Sequence, residues 1–267
     1  MTIHPALGML LVGGSFAALI AGLSILRDAR GADPELLRKL LHIGMGVVSL
    51  TLPWLFETPW PVLLLAGAFG AGLLAGRSSA CWRRVAGGIL CGIKRTSVGD
   101  LCFPVAVAAV FMLSADHTSY FCIPVLTLTL ADAAAALVGT RHGAHRVGRP
   151  GREKSLEGSA AFFLAALPCA YVPLRLWPEG GWAWTFLLSL NLASLLTLVE
   201  ALSGNGLDNL TVPLAACLLL RTLGGGEAWL LAACAPVSAG ALLVLACRGR
   251  RGFPVSPTAS EVVHESV

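Results

Sequence analysis

Residues 119–143 read SYFCIPVLTLTLADAAAALVGTRHG, and this stretch decides the fold. From Ser119 to Val138 it carries a single formal charge, Asp132, before Arg141 opens a glycine-flanked loop. An α-helix crosses a hydrocarbon layer with about 20 apolar residues. Asp132 stands seven residues before Gly139, which puts it about 10 Å up such a helix. A carboxylate at that depth is costly in lipid, so it should face the interior of a bundle or a wet cavity. Ala135, Ala136 and Gly139 share its face by helical spacing. That face has no bulk, so something is expected to approach the backbone closely there. Asp132 alone leaves two readings open: a Mg2+ ligand beneath a nucleotide phosphate, or a buried carboxylate bonded to a neighbouring helix.

The rest of the chain repeats the pattern. It is 56% hydrophobic and 13% charged, with a mean hydropathy of +0.76, where soluble domains carry about 25% charged residues. The apolar runs predict an all-α, polytopic transmembrane bundle of nine spans, near 5–26, 40–56, 60–76, 101–115, 119–138, 159–177, 182–200, 208–224 and 228–247. Residues 1–247 form one domain in this reading, and 248–267 a polar, disordered tail. The first run lacks a basic leader and a cleavage site, so it reads as a retained span. Val85–Ile93 is expected to lie along the interface. Gly72 and Gly76 suit close helix packing. The eight cysteines contain no CxxC pair and read as small packing residues.

Charge tests the ladder. Alternate connectors, together with the tail, hold 17 of the 19 basic residues, leaving only Arg175 and Arg221 on the opposite side. Basic residues gather in cytoplasmic loops, so the N-terminus is expected outside and the C-terminus in the cytoplasm. The net charge of +4 follows from those loops and is no nucleic-acid footprint.

The polar motifs gather on that inner side. Gly139-Thr140-Arg141-His142-Gly143 is followed, after a basic stretch, by Lys154-Ser155-Leu156-Glu157-Gly158-Ser159 at the head of the sixth span. Glycines free backbone N–H groups for phosphate oxygens, and a helix N-terminus favours an anion. A Walker loop is excluded because Glu153, and not glycine, precedes Lys154. His142 and His145 lack a third zinc ligand nearby. Arg38-Lys39-Leu40-Leu41-His42 opens the second span, and Glu200 through Asp208-Asn209 makes an acidic connector on a basic side. Carboxylates beside basic loops suit a metal–phosphate site.

Taken in series, these motifs resemble the polyprenol kinase family of phytol, dolichol and CTP-dependent diacylglycerol kinases. The matching elements are Arg38-Lys39-x-x-His42, Gly99-Asp100 before Phe103-Pro104, Asp132-Ala133 through Gly139 and Gly143, Lys154-Ser155-x-Glu157-Gly158-Ser159, and Glu200 followed by Asp208-Asn209-x-x-x-Pro213. The segment Leu207–Pro213 is most similar to the phytol kinase branch. The resemblance implies transfer of the terminal phosphate of CTP, or another nucleoside triphosphate, to a membrane-embedded isoprenoid alcohol at the cytoplasmic face. In that reading Asp132 and Asp208, with Glu157, hold Mg2+, while Lys154, Arg38 and Lys39 grip the triphosphate. Gly139, Gly143 and Gly158 give backbone access, and Ser155, Ser159 and Asn209 complete the nucleotide site. Asp208, Glu200 and His42 are the candidate bases. A CDP-lipid synthase of the phosphatidate cytidylyltransferase type is the enzyme alternative, although its Lys-Asp…His-Gly-Gly…Asp-Arg ending is missing here. A transporter is the non-enzyme alternative.

Overall fold

A computed structural model describes residues 4–78, 98–114, 117–147, 153–178, 180–204 and 206–224. The expected ninth span, the Val85–Ile93 segment, the tail, and Arg149 and Arg152 of the basic loop lie outside the described residues.

The chain folds as helices α1 (Pro5–Arg30), α2 (Pro34–Leu50), α3 (Leu52–Leu55), α4 (Trp60–Ser78), α5 (Gly99–Ser114) and α6 (Thr118–Leu126). A π-helical turn, Thr127–Ala131, joins α6 to α7 (Asp132–His142). Then come α8 (Leu156–Leu176), α9 (Trp182–Leu202) and α10 (Asp208–Leu223). Five continuous helical stretches are long and apolar enough to cross a membrane: Pro5–Arg30, Leu36–Leu55, Thr118–His142, Leu156–Leu176 and Trp182–Leu202. Trp60–Ala75 and Gly99–Ser114 are apolar but shorter. The chain is therefore an integral membrane protein, with fewer full-length crossings among its described residues than the nine expected. Leu10, Leu164, Trp182 and Leu202 stand exposed, as lipid-facing residues do.

Helix ends follow local chemistry. α1 outruns its expected end because Arg27 and Arg30 suit a helix C-terminus. It stops at Gly31, whose φ of 58° is left-handed and whose N–H bonds to the Arg27 carbonyl. α2 starts six residues before its expected span, with Pro34 in its first turn. Arg38 and Lys39, expected just before the span, therefore sit on the helix with His42.

Buried hydroxyls are satisfied within their own helices. Ser49, Thr127, Thr129, Ser189, Ser194 and Thr197 each donate to the carbonyl four residues earlier. This removes the cost of a lone polar group in an apolar interior. Prolines 104, 124, 168, 173 and 213 all lie inside helices. Pro124 removes one helical donor just before the π turn.

One strand pair departs from the all-α expectation. β1 (Arg146–Val147) pairs antiparallel with β2 (Lys154–Ser155), Arg146 opposite Ser155 and Val147 opposite Lys154. The Leu156 N–H donates to the His145 carbonyl, so the ladder runs into the start of α8. α8 packs along α7 and α9, and α10 against α5, α6 and α9. α2 crosses the π turn at Gly46, where any Cβ would collide with the Thr129 side chain. Gly46→Ala is expected to lower stability by about 1–3 kcal/mol through overpacking. Adding Thr129→Ala should recover most of the loss in a thermal-unfolding assay in detergent.

Candidate active site

Two side chains on α2 meet one on α7. Lys39 and His42 are buried, at 7% and 8% exposure. Lys39 Nζ lies 3.5 Å from Asp132 Oδ2. His42 Nε2 lies 2.9 Å from the Leu128 carbonyl and 3.9 Å from Asp132 Oδ2. A carbonyl only accepts, so Nε2 carries the proton and Nδ1 holds the ring's lone pair. The imidazole stands edge-on to Phe103, ring centres 5.3 Å apart. Leu128 belongs to the π turn, and π turns occur often at functional sites. That turn sets both the carbonyl that orients His42 and the position of Asp132, the residue that follows it.

A second cluster is built on Lys154. Its ammonium sits 2.5 Å from Glu200 Oε1 and 2.8 Å from Asp208 Oδ2. Glu200, at the end of α9, is 2% exposed and accepts from the Ser159 hydroxyl at 3.5 Å. Asp208 opens α10 and accepts the Asn209 N–H at 3.1 Å. Burial opposes the Lys154 charge, but Glu200 and Asp208 outweigh it and hold its pKa above the ordinary lysine value. Lys154 and Glu200 lie within electrostatic reach of Asp132, so the two clusters are neighbours.

A cleft opens beside them. It has about 440 Å³ of empty volume and is bounded on its polar side by Arg38, His42, Asp100 and Asn209. The Asn209 amide donates to the Gly99 carbonyl at 3.0 Å and so fixes the start of α10 against the start of α5. Cations, carboxylates and a partly open cleft therefore lie where α2, α5, α7, β2, α9 and α10 converge.

Other expected site residues serve elsewhere in the fold. Glu157, expected beside Asp132 and Asp208 on a metal, turns back to His145. Its carboxylate accepts from His145 N at 3.2 Å and lies 2.7 Å from His145 Nδ1. In the described contacts Glu157 pairs with His145 and not with Asp132 or Asp208. Ser155 caps α8, its Oγ accepting from Gly158 N at 3.1 Å. Gly139, Gly143 and Gly158, the glycines expected to offer backbone to phosphate, sit where elements touch. A Cβ on Gly158 would lie 2.9 Å from the Ala135 carbonyl oxygen, and one on Gly139 would lie 2.9 Å from Ser155 Oγ. What approaches the bare face below Asp132 is α8.

Among the described residues no three His, Cys, Asp or Glu side chains group as a metal cage. Magnesium in phosphoryl-transfer sites takes one or two carboxylates and fills its shell with phosphate and water oxygens. Asp132 and Asp208, each now neutralised by a lysine, fit that requirement.

The role of Glu200 as partner of Lys154 was not foreseen. Its signal was an acidic residue on a side otherwise basic. Asp100 was marked only by the family resemblance, and the structure puts it on the cleft wall beside Arg38.

The chain is 30% identical over 215 residues to a phytol kinase of Synechocystis sp., an alignment that covers 80% of this chain and 89% of that protein. No family model matches the chain. No solved structure matches it.

Proposed function

Because the chain belongs to the polyprenol and phytol kinase family, we propose that it is a lipid-alcohol kinase moving the terminal phosphate of a nucleoside triphosphate, CTP foremost, to an isoprenoid alcohol at the cytoplasmic face. The observation that carries this reading is the half-buried ammonium of Lys154 between Glu200 and Asp208, beside the Lys39–Asp132 pair. Phosphoryl transfer asks for positioning and charge neutralisation more than for covalent help. The two clusters supply both signs for that task.

The lysines are the movable part. When triphosphate enters the cleft, Lys154 and Lys39 exchange a carboxylate partner for phosphate oxygens, and Arg38 adds charge from the wall. Asp132 and Asp208 are then released to hold a divalent cation, Mg2+, which would supply charge neutralisation on the phosphates. Glu200 stays behind Lys154 and keeps it aimed, with Ser159 fixing the carboxylate. The alcohol proton has two acceptors near the cleft, Asp208 and His42 through Nδ1. An early proton transfer is not required in a loose transition state. The cytoplasmic orientation is supported by the basic residues Arg141, Arg146 and Lys154 around the site, as the positive-inside rule expects.

The test uses labelled nucleotide on the purified protein in lipid vesicles with geranylgeraniol or phytol. Label in the γ position should appear in the lipid, and label in the α position should not. Transfer of α label contradicts a kinase and selects the CDP-lipid alternative. A chelator should abolish transfer, and added Mg2+ should restore it. Uptake of a solute without nucleotide would select transport.

A further inference from the structure

The polar cleft does not end at its charged wall. Met45, Phe69 and Phe103 line it, and the same three side chains line a second cavity on the side away from Asp100 and Asn209. This second cavity has about 390 Å³ of empty volume, partly open to the surroundings, and is walled by α1, α2, α4 and α5. Its lining is apolar apart from Ser49, whose hydroxyl is already spent on the Met45 carbonyl at 2.8 Å. Phe16 and Phe69 stand across it with ring centres 5.6 Å apart.

Two helices run from one cavity into the other in the same sense. On α2, His42, Met45 and Ser49 follow at spacings of three and four, which is one helix face. On α5, Asp100, Phe103 and Val107 do the same. Each face begins with a polar residue, His42 or Asp100, and continues into the cavity with Met45 or Phe103. From His42 to Ser49 the rise is about 10 Å.

We infer that the apolar cavity between α1, α2, α4 and α5 holds the hydrocarbon tail of the lipid alcohol, with its hydroxyl held in the polar cleft at His42, Asp100 and Asn209. The inference rests on the kinase reading for the head of the ligand and on the continuity of the two cavities for its tail. A tail that comes from the bilayer gains little free energy by entering another apolar space. The work of the cavity is positioning: it fixes how deep the chain sits, and so where the hydroxyl stands relative to the phosphate. Charges of both signs at the mouth suit a neutral hydroxyl. The cavity is small: its lining reaches only one to two helical turns past Met45 and Phe103, to Leu52 and Val107. It takes the first isoprene units of the chain and leaves the remainder to the membrane.

The test is photocrosslinking in phosphatidylglycerol–phosphatidylcholine vesicles, with an isoprenoid alcohol carrying a diazirine on its second isoprene unit. Adducts should concentrate on peptides holding Val12, Phe16, Phe69 and Val107. Excess unlabelled geranylgeraniol should block them, and excess phosphatidylglycerol should not. Adducts spread over lipid-facing residues such as Leu10 and Leu164, or blocked by the phospholipid, would overturn the assignment. Labelling needs no nucleotide, so its outcome is separate from that of the kinase reading. Crosslinks without phosphate transfer contradict the kinase and leave the tail site standing. Two variants give a second measure. Val12→Phe fills the cavity and should lower the kcat/KM ratio of C10 to C5 alcohols at least tenfold, because only the C10 chain reaches past its first isoprene unit. Val107→Ala widens it and should raise that ratio. Equal ratios in both variants and the parent overturn the inference even with transfer intact.

Discussion

Asp132→Asn is expected to lower kcat for phosphate transfer by about 10³-fold, the scale of losing one preorganised charge contact at a transition state. The substitution preserves shape and hydrogen-bonding capacity, so the loss isolates charge. In the resting protein Asp132 balances Lys39, which is 7% exposed. In the proposed complex it holds the divalent cation. Two readouts distinguish the roles. If Asp132 only neutralises Lys39, Asp132→Asn should leave the Mg2+ concentration for half-maximal rate at the parent's value and lose stability that Lys39→Met restores. If Asp132 binds the cation, that concentration rises in the single variant, and adding Lys39→Met recovers stability without activity. Asp132→Glu should fall between, because it keeps the charge and moves it by one methylene.

Lys154→Met is expected to remove transfer to a similar degree and to destabilise the fold as well. It leaves Glu200, which is 2% exposed, facing Asp208 with no cation between them. Breaking a buried ion pair from one side costs about 3–5 kcal/mol. The side chain of Lys154 keeps 27% of its exposure, so a loss near the lower end, about 3 kcal/mol, is expected. Adding Glu200→Gln removes the uncompensated charge and should return most of the thermal stability. Activity should stay lost, because no ammonium remains to meet the triphosphate. Recovery of activity in that pair would make Lys154 a structural counter-ion only. Lys154→Arg should retain stability and a reduced rate, since a guanidinium keeps the charge with a different fork.

Much of this was legible before folding. Hydropathy located α1, α2, α4 to α6 and α8 to α10, because a membrane forces each segment to satisfy its own backbone. The depth of Asp132 in an apolar run was enough to mark it as buried and charged. The partners of that carboxylate were not legible. Nothing local ties Lys39 to Asp132, 93 residues away, or Lys154 to Asp208, 54 residues away. Those pairings come from helix packing, which a single sequence does not encode in any window.

The packing role of glycine was not legible. Gly139, Gly143 and Gly158 carry the pattern of a phosphate loop, and the same absence of a Cβ lets α7 and α8 close on each other. Sequence reading weighs the chemistry of an exposed N–H and has no view of which backbone comes near. The contact of Glu157 was not legible either. Its place in the family motif suggested a ligand, and the first turn of α8 brings it to His145. The π turn was invisible too, since Thr127–Ala131 has no residue type that distinguishes five-residue from four-residue bonding.

The central claim is that carboxylates from α7 and α10 serve one metal–triphosphate. Affinity for a non-hydrolysable CTP analogue with Mg2+ tests it, measured for the parent, Asp132→Asn, Asp208→Asn and the pair. Groups that share one ligand couple by about 0.5–3 kcal/mol, whereas independent sites add. The account expects the second substitution to cost at least fivefold less affinity in the presence of the first than it does alone. Strictly additive losses, or no loss from either, would contradict a shared site.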